Sequence, residues 1–328
     1  MIICIMMSIW CQNLWDELIL KNEINILKQK YWETTKFKVF TYDKNNIFFK
    51  DKNIEYINYF PIWIKNIKNI FFNLKNLVIF LKTIIESDLI VIWWWWIFFD
   101  NEVWNYSNPL NQWLFRTKIC QFLKKQIIFW AVSLDVKQEK NFKKIKNIFW
   151  STKEIYVRDI QSKNFLNDNF NYSATIIKDP VFYDNWEYDE NKNFMLSKID
   201  VNNFKLNYLD DYSFKNKKIW IAFRSWYLKN EDYFIKELLN YIIEKWWKLI
   251  LLCHSFHQFD KKINDYLFLE KYKYWNIEIT KTMEETYLYY KNKKIDFCIS
   301  MRLHSVILSQ VYGIPFINLK YAKKSDII

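Results

Sequence analysis

Glycine is nearly absent from this chain. One residue of 328, Gly313, is glycine, where average usage near ~7% predicts about 23. An α/β chain needs glycine where the backbone turns left-handed and where a ligand must approach the main chain. Read literally, the sequence excludes an ordinary glycine-lined anion loop. Cysteine is sparse too: Cys4, Cys11, Cys120, Cys253 and Cys298 form no CxxC, which excludes the usual disulfide, zinc and redox frameworks and suggests small buried residues in a reducing compartment. Three histidines, His254, His257 and His304, are too few and too dispersed for an evident zinc site. No run reaches the roughly 18 uncharged apolar residues of a membrane span. The nearest region, 67–99, is broken by Lys75, Lys82, Glu86 and Asp88. The N-terminal MIICIMMSIW lacks a basic flank, so it reads as a first buried strand, not a signal peptide.

What is present in excess is tryptophan, 18 residues, and its positions suit glycine. Trp93, Trp94, Trp95 and Trp96 run together after the apolar DLIVI. Trp246 and Trp247 stand between a helical stretch and KLILL, where a helix end favours left-handed glycine. Trp32 and Trp275 hold similar turn positions. The expectation is that most of these are decoded glycines. A lineage that reads UGA as glycine, translated with a table in which UGA is tryptophan, gives this composition. An authentic excess of tryptophan does not account for the missing glycine.

About half of the residues are hydrophobic (51%), enough for a sizeable core. The net charge of +12 comes from lysines scattered along the chain, with no dense basic block, RNP or zinc-finger pattern, so nucleic acid is not an expected partner. Of 48 basic residues only four are arginine: Arg116, Arg158, Arg224 and Arg302. In a lysine-biased chain each draws notice, because guanidinium grips carboxylate and phosphate in a fork that lysine cannot copy.

Short apolar runs alternate with longer helical patterns, the signature of βα units and parallel sheets. Strands are expected at 1–9, 36–41, 88–92, 126–132, 154–157 and 173–177, and again at 218–223, 248–252, 276–279, 295–299 and 315–319. Helices are expected at 16–30, 64–86, 108–124, 230–245, 259–271, 282–292 and 303–312. The fold class is α/β, with two Rossmann-like domains facing across a cleft. The first covers 1–183; polar, asparagine-rich 184–217 reads as a linker or insertion; the second covers 218–328. The chain stops at Ile328 soon after a strand, so a closing C-terminal helix is expected to be missing. In such sheets ligands bind at the carboxyl ends of the strands.

Five segments fall at strand ends. SIWCQNLWDE follows strand one; with glycine at Trp10 and Trp15 it becomes GxxxxG, although Asp16-Glu17 replaces the Lys-Ser/Thr of a Walker loop. Asp16 and Glu17 also suit the start of a helix. The Trp93–Trp96 run comes second, followed by Asp100, a proton acceptor or a helix cap. Arg158-Asp159 closes a strand, as does Arg224. The fifth segment, DFCISMRLHS, places Arg302 and His304 at the start of a helix, an anion site with a proton carrier beside it. Tyr321 and Lys324 follow the last strand. His254 and His257 read as solvated loop histidines.

In their order and spacing, NLWDE, VIWWWWIFFD, FWAVSL, VRD, KDPVF, IAFR and MRLHSVILSQVYGIPFINLKY resemble the polysaccharide pyruvyltransferase family, from Ile9 to Lys324. Several segments match when tryptophan is read as glycine. The resemblance implies a fold similar to GT-B glycosyltransferases. It implies transfer of an enolpyruvyl unit from phosphoenolpyruvate, as co-substrate, to two hydroxyls of a sugar, with no metal and no further cofactor. By resemblance His304 is the acid/base residue, with Asp100 near the family's acidic position. Arg302, Arg224, Arg158 and Lys324 bind the donor, although Ala322 and Lys323 replace the Asp and Pro of the family's Tyr-Asp-Pro-Lys motif. Trp10, Trp15 and Trp93–Trp96 occupy glycine-type loops. The implied partner is a sugar or lipid-linked glycan of the cell envelope or an exopolysaccharide. A cytoplasmic enzyme is expected, whose basic surface suits an acidic acceptor at the inner face of the membrane. Two other readings stay open: a GT-B-type glycosyltransferase using a nucleotide sugar, and a non-catalytic relative acting as a scaffold.

Overall fold

The computed structural model describes residues 1–9, 12–41, 44, 47–58, 70–93, 98–100, 109–212, 217–223, 231–245, 248–257, 261, 264–273 and 277–320. Two compact units divide the chain: Met1–Ile9 with Glu23–Pro180, and Trp10–Asn22 with Val181–Ile328. The first-domain boundary read from the sequence does not anticipate that residues 10–22 pack with the second unit.

Along the chain to Pro180 run β1 (Ile2–Ile9), α1 (Leu14–Tyr31), β2 (Lys36–Thr41), β3 (Ile54–Asn58), α2 (Ile70–Glu86), β4 (Leu89–Trp93), β5 (Phe98–Phe99), α3 (Pro109–Phe122), β6 (Gln126–Val132), β7 (Leu134–Asp135), α4 (Phe142–Ile148), β8 (Glu154–Val157), α5 (Ile160–Phe170) and β9 (Thr175–Ile176), all in the first unit except the start of α1, which belongs to the second up to Asn22. Seven strands form one sheet in the order β3-β2-β1-β4-β6-β8-β9, and every pairing is parallel. The central strands carry continuous apolar runs, as a sheet covered on both faces demands: Ile3–Met7, Leu89–Trp93 and Ile127–Val132 are all buried. Strand order reverses between β1 and β4, so the ends of these strands at Ile9 and Trp93 lie at the switch point of the sheet.

The second unit runs β10 (Met195–Asp200), β11 (Lys218–Ala222), α6 (Glu231–Lys245), β12 (Lys248–Leu251), α7 (Asp265–Leu269), β13 (Ile277–Ile279), α8 (Met283–Lys291), β14 (Phe297–Ser300), α9 (Leu303–Tyr312) and β15 (Phe316–Lys320). Its sheet has the order β10-β15-β14-β11-β12-β13, again parallel throughout. The reversal lies between β14 and β11. The stretch 184–217, expected as a linker or insertion, supplies edge strand β10, which pairs with β15. Gly313 ends α9 at φ +71, with its N–H on the carbonyls of Ser309 and Gln310. Its left-handed backbone is the one that glycine adopts at no steric cost. Among the described residues no helix is long and apolar enough to cross a membrane.

Candidate active site

The switch point of the second sheet is built from the turn between β14 and α9. Ser300 ends the strand; its hydroxyl accepts the Arg302 N–H at 2.9 Å and donates to the Arg302 carbonyl at 2.9 Å. Met301 N–H donates to the Ala222 carbonyl at 3.1 Å, tying this turn to the end of β11. Arg302 is the N-cap of α9 and His304 lies in its first turn.

Arg302 is buried and forms an ion pair with Asp265. A buried guanidinium is tolerated where a carboxylate meets it and that carboxylate's other lone pairs are satisfied. Asp265 meets both conditions, because its second oxygen accepts the N–H groups of His254 (3.0 Å) and Ser255 (3.1 Å). The loop after β12 is thus folded around the same acid that orients the arginine.

His254 is fully buried, not solvated as the sequence suggested, and His257 is buried as well. Loss of water, then the nearby charge of Arg302, push the His254 pKa down to about 3, so the ring is neutral. Its Nε2 lies 3.1 Å from Tyr290 Oη, which lies 2.6 Å from Ser305 Oγ on α9. A buried polar chain therefore stands behind the start of α9. Burial pushes neighbouring Cys253 up to about 12, which makes it inert as a nucleophile.

The start of α1 is docked onto this loop by its backbone. Leu14 N–H donates to the His254 carbonyl (2.9 Å), Phe256 N–H to the Gln12 carbonyl (2.8 Å), and Asn13 bridges to Ser255. Lys21 adds bonds to Asp184 (2.7 Å) and Tyr287 (2.8 Å). Asp16 and Glu17 fall in the first turn of α1, both buried, with the Asn13 amide 3.2 Å from Asp16. The buried Trp15 ring lies on His304, centroids 4.1 Å apart and 13° from parallel. Arg302, His304, Trp15, Asp16 and Glu17 all belong to the second unit.

Other residues singled out from the sequence lie in the first unit. Arg158 is buried in an ion pair with Asp179. Asp159 is the N-cap of α5, accepting the Ser162 N–H at 2.7 Å. Asp100 is buried, and its carboxylate accepts the N–H groups of Lys137 (2.9 Å) and Gln138 (2.8 Å) and the Asn141 amide (3.0 Å). Burial alone raises its pKa, but these donors and Lys140 outweigh it and hold the carboxyl below its ordinary value. Asp100 is a clamp on the loop before α4, and a poor proton carrier for that reason. Trp93 ends β4, fully buried. Trp10, Trp94, Trp95, Trp96, Arg224, Tyr321 and Lys324 lie outside the described residues. Sequence reasoning missed Asp265 and Tyr290. Asn264-Asp265 reads as an ordinary helix start, and only the fold shows that the acid faces Arg302.

The fold is α/β with parallel sheets, and its structural neighbours are GT-B-like. The UDP-GlcNAc 2-epimerase of Methanocaldococcus jannaschii superposes with a TM-score of 0.54 at 13% identity, over 99% of this chain and 86% of that one. HepE of Anabaena, solved with UDP and glucose, gives a TM-score of 0.51 at 12% identity, over 100% and 82%. A family model for polysaccharide pyruvyl transferase matches residues 16–323, and the chain belongs to that family. A search of curated proteins finds no match.

Proposed function

We propose that this protein moves an enolpyruvyl group from phosphoenolpyruvate to two hydroxyls of a cell-envelope or exopolysaccharide glycan, forming a pyruvate ketal. The observation that carries this reading is the pairing of Arg302 with His304 at the switch point of the second sheet. Asp265 fixes the guanidinium there, and α9 turns its N-terminus to the same place. The donor bears a carboxylate and a phosphate, which call for a positioned guanidinium and a helix N-terminus.

In the reaction one sugar oxygen bonds to the central carbon of the donor while the methylene carbon takes a proton and becomes methyl. The second sugar oxygen then displaces phosphate, the bond between the central carbon and the phosphate oxygen breaks, and the remaining hydroxyl proton leaves with the phosphate. His304 delivers the proton to the methylene carbon. Arg302 binds the anionic donor, supported by Arg224 and Lys324 as the family resemblance implies, whereas Arg158 is already engaged by Asp179 in the first unit. The balance closes without a metal or cofactor. The +12 charge suits an acidic, lipid-linked acceptor at the cytoplasmic face of a membrane.

The test is an assay of the native protein with a glycan acceptor and a donor panel of phosphoenolpyruvate, UDP-glucose and GDP-mannose. The expected result is phosphate release and a ketal on the acceptor with phosphoenolpyruvate alone. His304→Ala is expected to lose turnover on the order of 10²–10⁴-fold with donor binding partly retained. Transfer from a nucleotide sugar would move the assignment to a glycosyltransferase, and undiminished turnover in His304→Ala would remove the histidine from the chemistry.

A further inference from the structure

The printed tryptophans sit poorly in this fold. Trp32 follows α1 with φ +107, a backbone that side chains rarely adopt, and its ring is exposed. The buried indole N–H groups of Trp93, Trp130 and Trp220 have no hydrogen-bond acceptor, whereas a buried indole normally finds one. Trp15 differs in what its ring covers. It lies flat on the imidazole of His304, two residues from the guanidinium-bearing Arg302. The backbone of residues 12–14 is held to residues 254–256 by main-chain hydrogen bonds, so its position does not depend on the indole. Removing that side chain therefore opens space against His304 without releasing the loop.

We infer that the Trp15 indole occupies the donor's seat, and that residue 15 is glycine in the protein its cells make. An indole side chain and phosphoenolpyruvate have the same number of non-hydrogen atoms, so the space vacated is of donor size. Its walls suit the donor. His304 forms one face, in reach of a methylene carbon that needs a proton. Arg302 and the N-terminus of α9, whose first turn carries no acid, supply the positive field that a carboxylate and a phosphate require, while Asp16 and Glu17 in the first turn of α1 oppose it from the other side. Glycine at 15 also lets a phosphate approach the main-chain N–H groups closely. The inference rests on the pyruvyl-transfer reading of this site and adds the place of the donor within it.

The full chain and its Trp15→Gly and Trp15→Ala variants test this, with phosphoenolpyruvate and inorganic phosphate as probes. Calorimetry gives affinity, and NMR follows the His304 ring protons, which the stacked indole shifts upfield. Both variants are expected to bind phosphoenolpyruvate at least tenfold more tightly than the Trp15 chain, with His304 signals that move on titration. A Trp15 chain that binds equally well, or variants whose binding leaves His304 unmoved, overturns the seat. If the variants bind with His304 moving but no ketal forms on any glycan, the seat stands and the transfer reading fails. If the Trp15 chain itself forms the ketal with full donor affinity, the transfer reading stands and the seat fails. The mass of the native peptide covering residue 15 decides its identity without any refolded variant: glycine supports the inference, tryptophan ends it.

Discussion

Arg302 and Asp265 form a buried ion pair that joins the start of α9 to the loop after β12. The pair does two things at once. It fixes the direction of the guanidinium, and it folds residues 254 and 255 around the same carboxylate. Function and local stability are therefore coupled at one side chain, which separates the effects of changing either partner.

Arg302→Lys keeps the charge and loses the fork. The donor KM is expected to rise about tenfold or more, with a smaller change in the melting temperature. Asp265→Asn leaves the guanidinium buried without its countercharge and is expected to cost on the order of 3–5 kcal/mol in urea unfolding. An Asp265→Asn protein as stable as the parent, with unchanged donor KM, would show that the pair holds neither the loop nor the arginine.

His254 gives the fold an acid sensitivity of known sign. Its pKa in the folded chain is about 3, below the ordinary 6.5, so the unfolded state binds a proton first as pH falls. Stability contributed by the neutral ring is complete above about pH 6.5 and is lost between there and pH 3, at up to about 1.4 kcal/mol per unit. The groups that set this are Arg302, which opposes protonation, and the Leu252 backbone, which favours it. His254→Asn is expected to flatten the dependence of unfolding free energy on pH between 6 and 4. An unaltered slope would place the acid sensitivity elsewhere.

Much of this was legible in the residues. The apolar runs of β1, β4, β6, β11, β12 and β14 mark themselves because both faces are buried, so no register ambiguity intervenes. The Arg302–His304 helix start is legible because a strand, a polar turn and an apolar helix follow in ten residues. Edge strands are harder: MLSKID and IEYIN are half-exposed and mixed in polarity, and they are strands only because β15 and β2 offer them an edge. Helix 259–271 proved shorter in the described residues, with α7 covering Asp265–Leu269 and a 3₁₀ turn after it. The partners of Arg302 and Asp100 come from contacts 37 or more residues away in sequence, which no local pattern encodes.

Glu23 is the clearest misfit in the α1 interior. It is fully buried, neither carboxylate oxygen has a hydrogen-bond partner, and burial pushes its pKa well above the ordinary value. The folded chain keeps this proton to higher pH than the unfolded chain does, so the residue costs increasing stability as pH rises above its unfolded pKa. Glu23→Met keeps helix propensity and volume and removes the polar burden, with an expected gain of about 1–3 kcal/mol at neutral pH. The gain should shrink at acidic pH, where the unfolded carboxyl is also protonated. A loss of stability accompanied by lost activity would mark Glu23 as a residue kept for the reaction.

Trp32 separates the two accounts of the tryptophans by stability alone. Its N–H continues α1 onto the Lys28 carbonyl at 2.8 Å and its own carbonyl accepts the Thr35 N–H at 3.1 Å, so the backbone there is fixed at both sides. Its φ of +107 lies in the range open to glycine, and holding a side chain in so sparse a region costs on the order of 1–3 kcal/mol. The ring is 80% exposed and returns little packing energy. Trp32→Gly is therefore expected to stabilise the chain by about 1 kcal/mol after the added freedom of the unfolded glycine is subtracted. Gly313 shows the same fold using glycine for the same task at the end of α9. A Trp32→Gly variant that unfolds more easily than the parent would mean that the indole holds this turn, and it would weaken the case that the other tryptophans stand in for glycine.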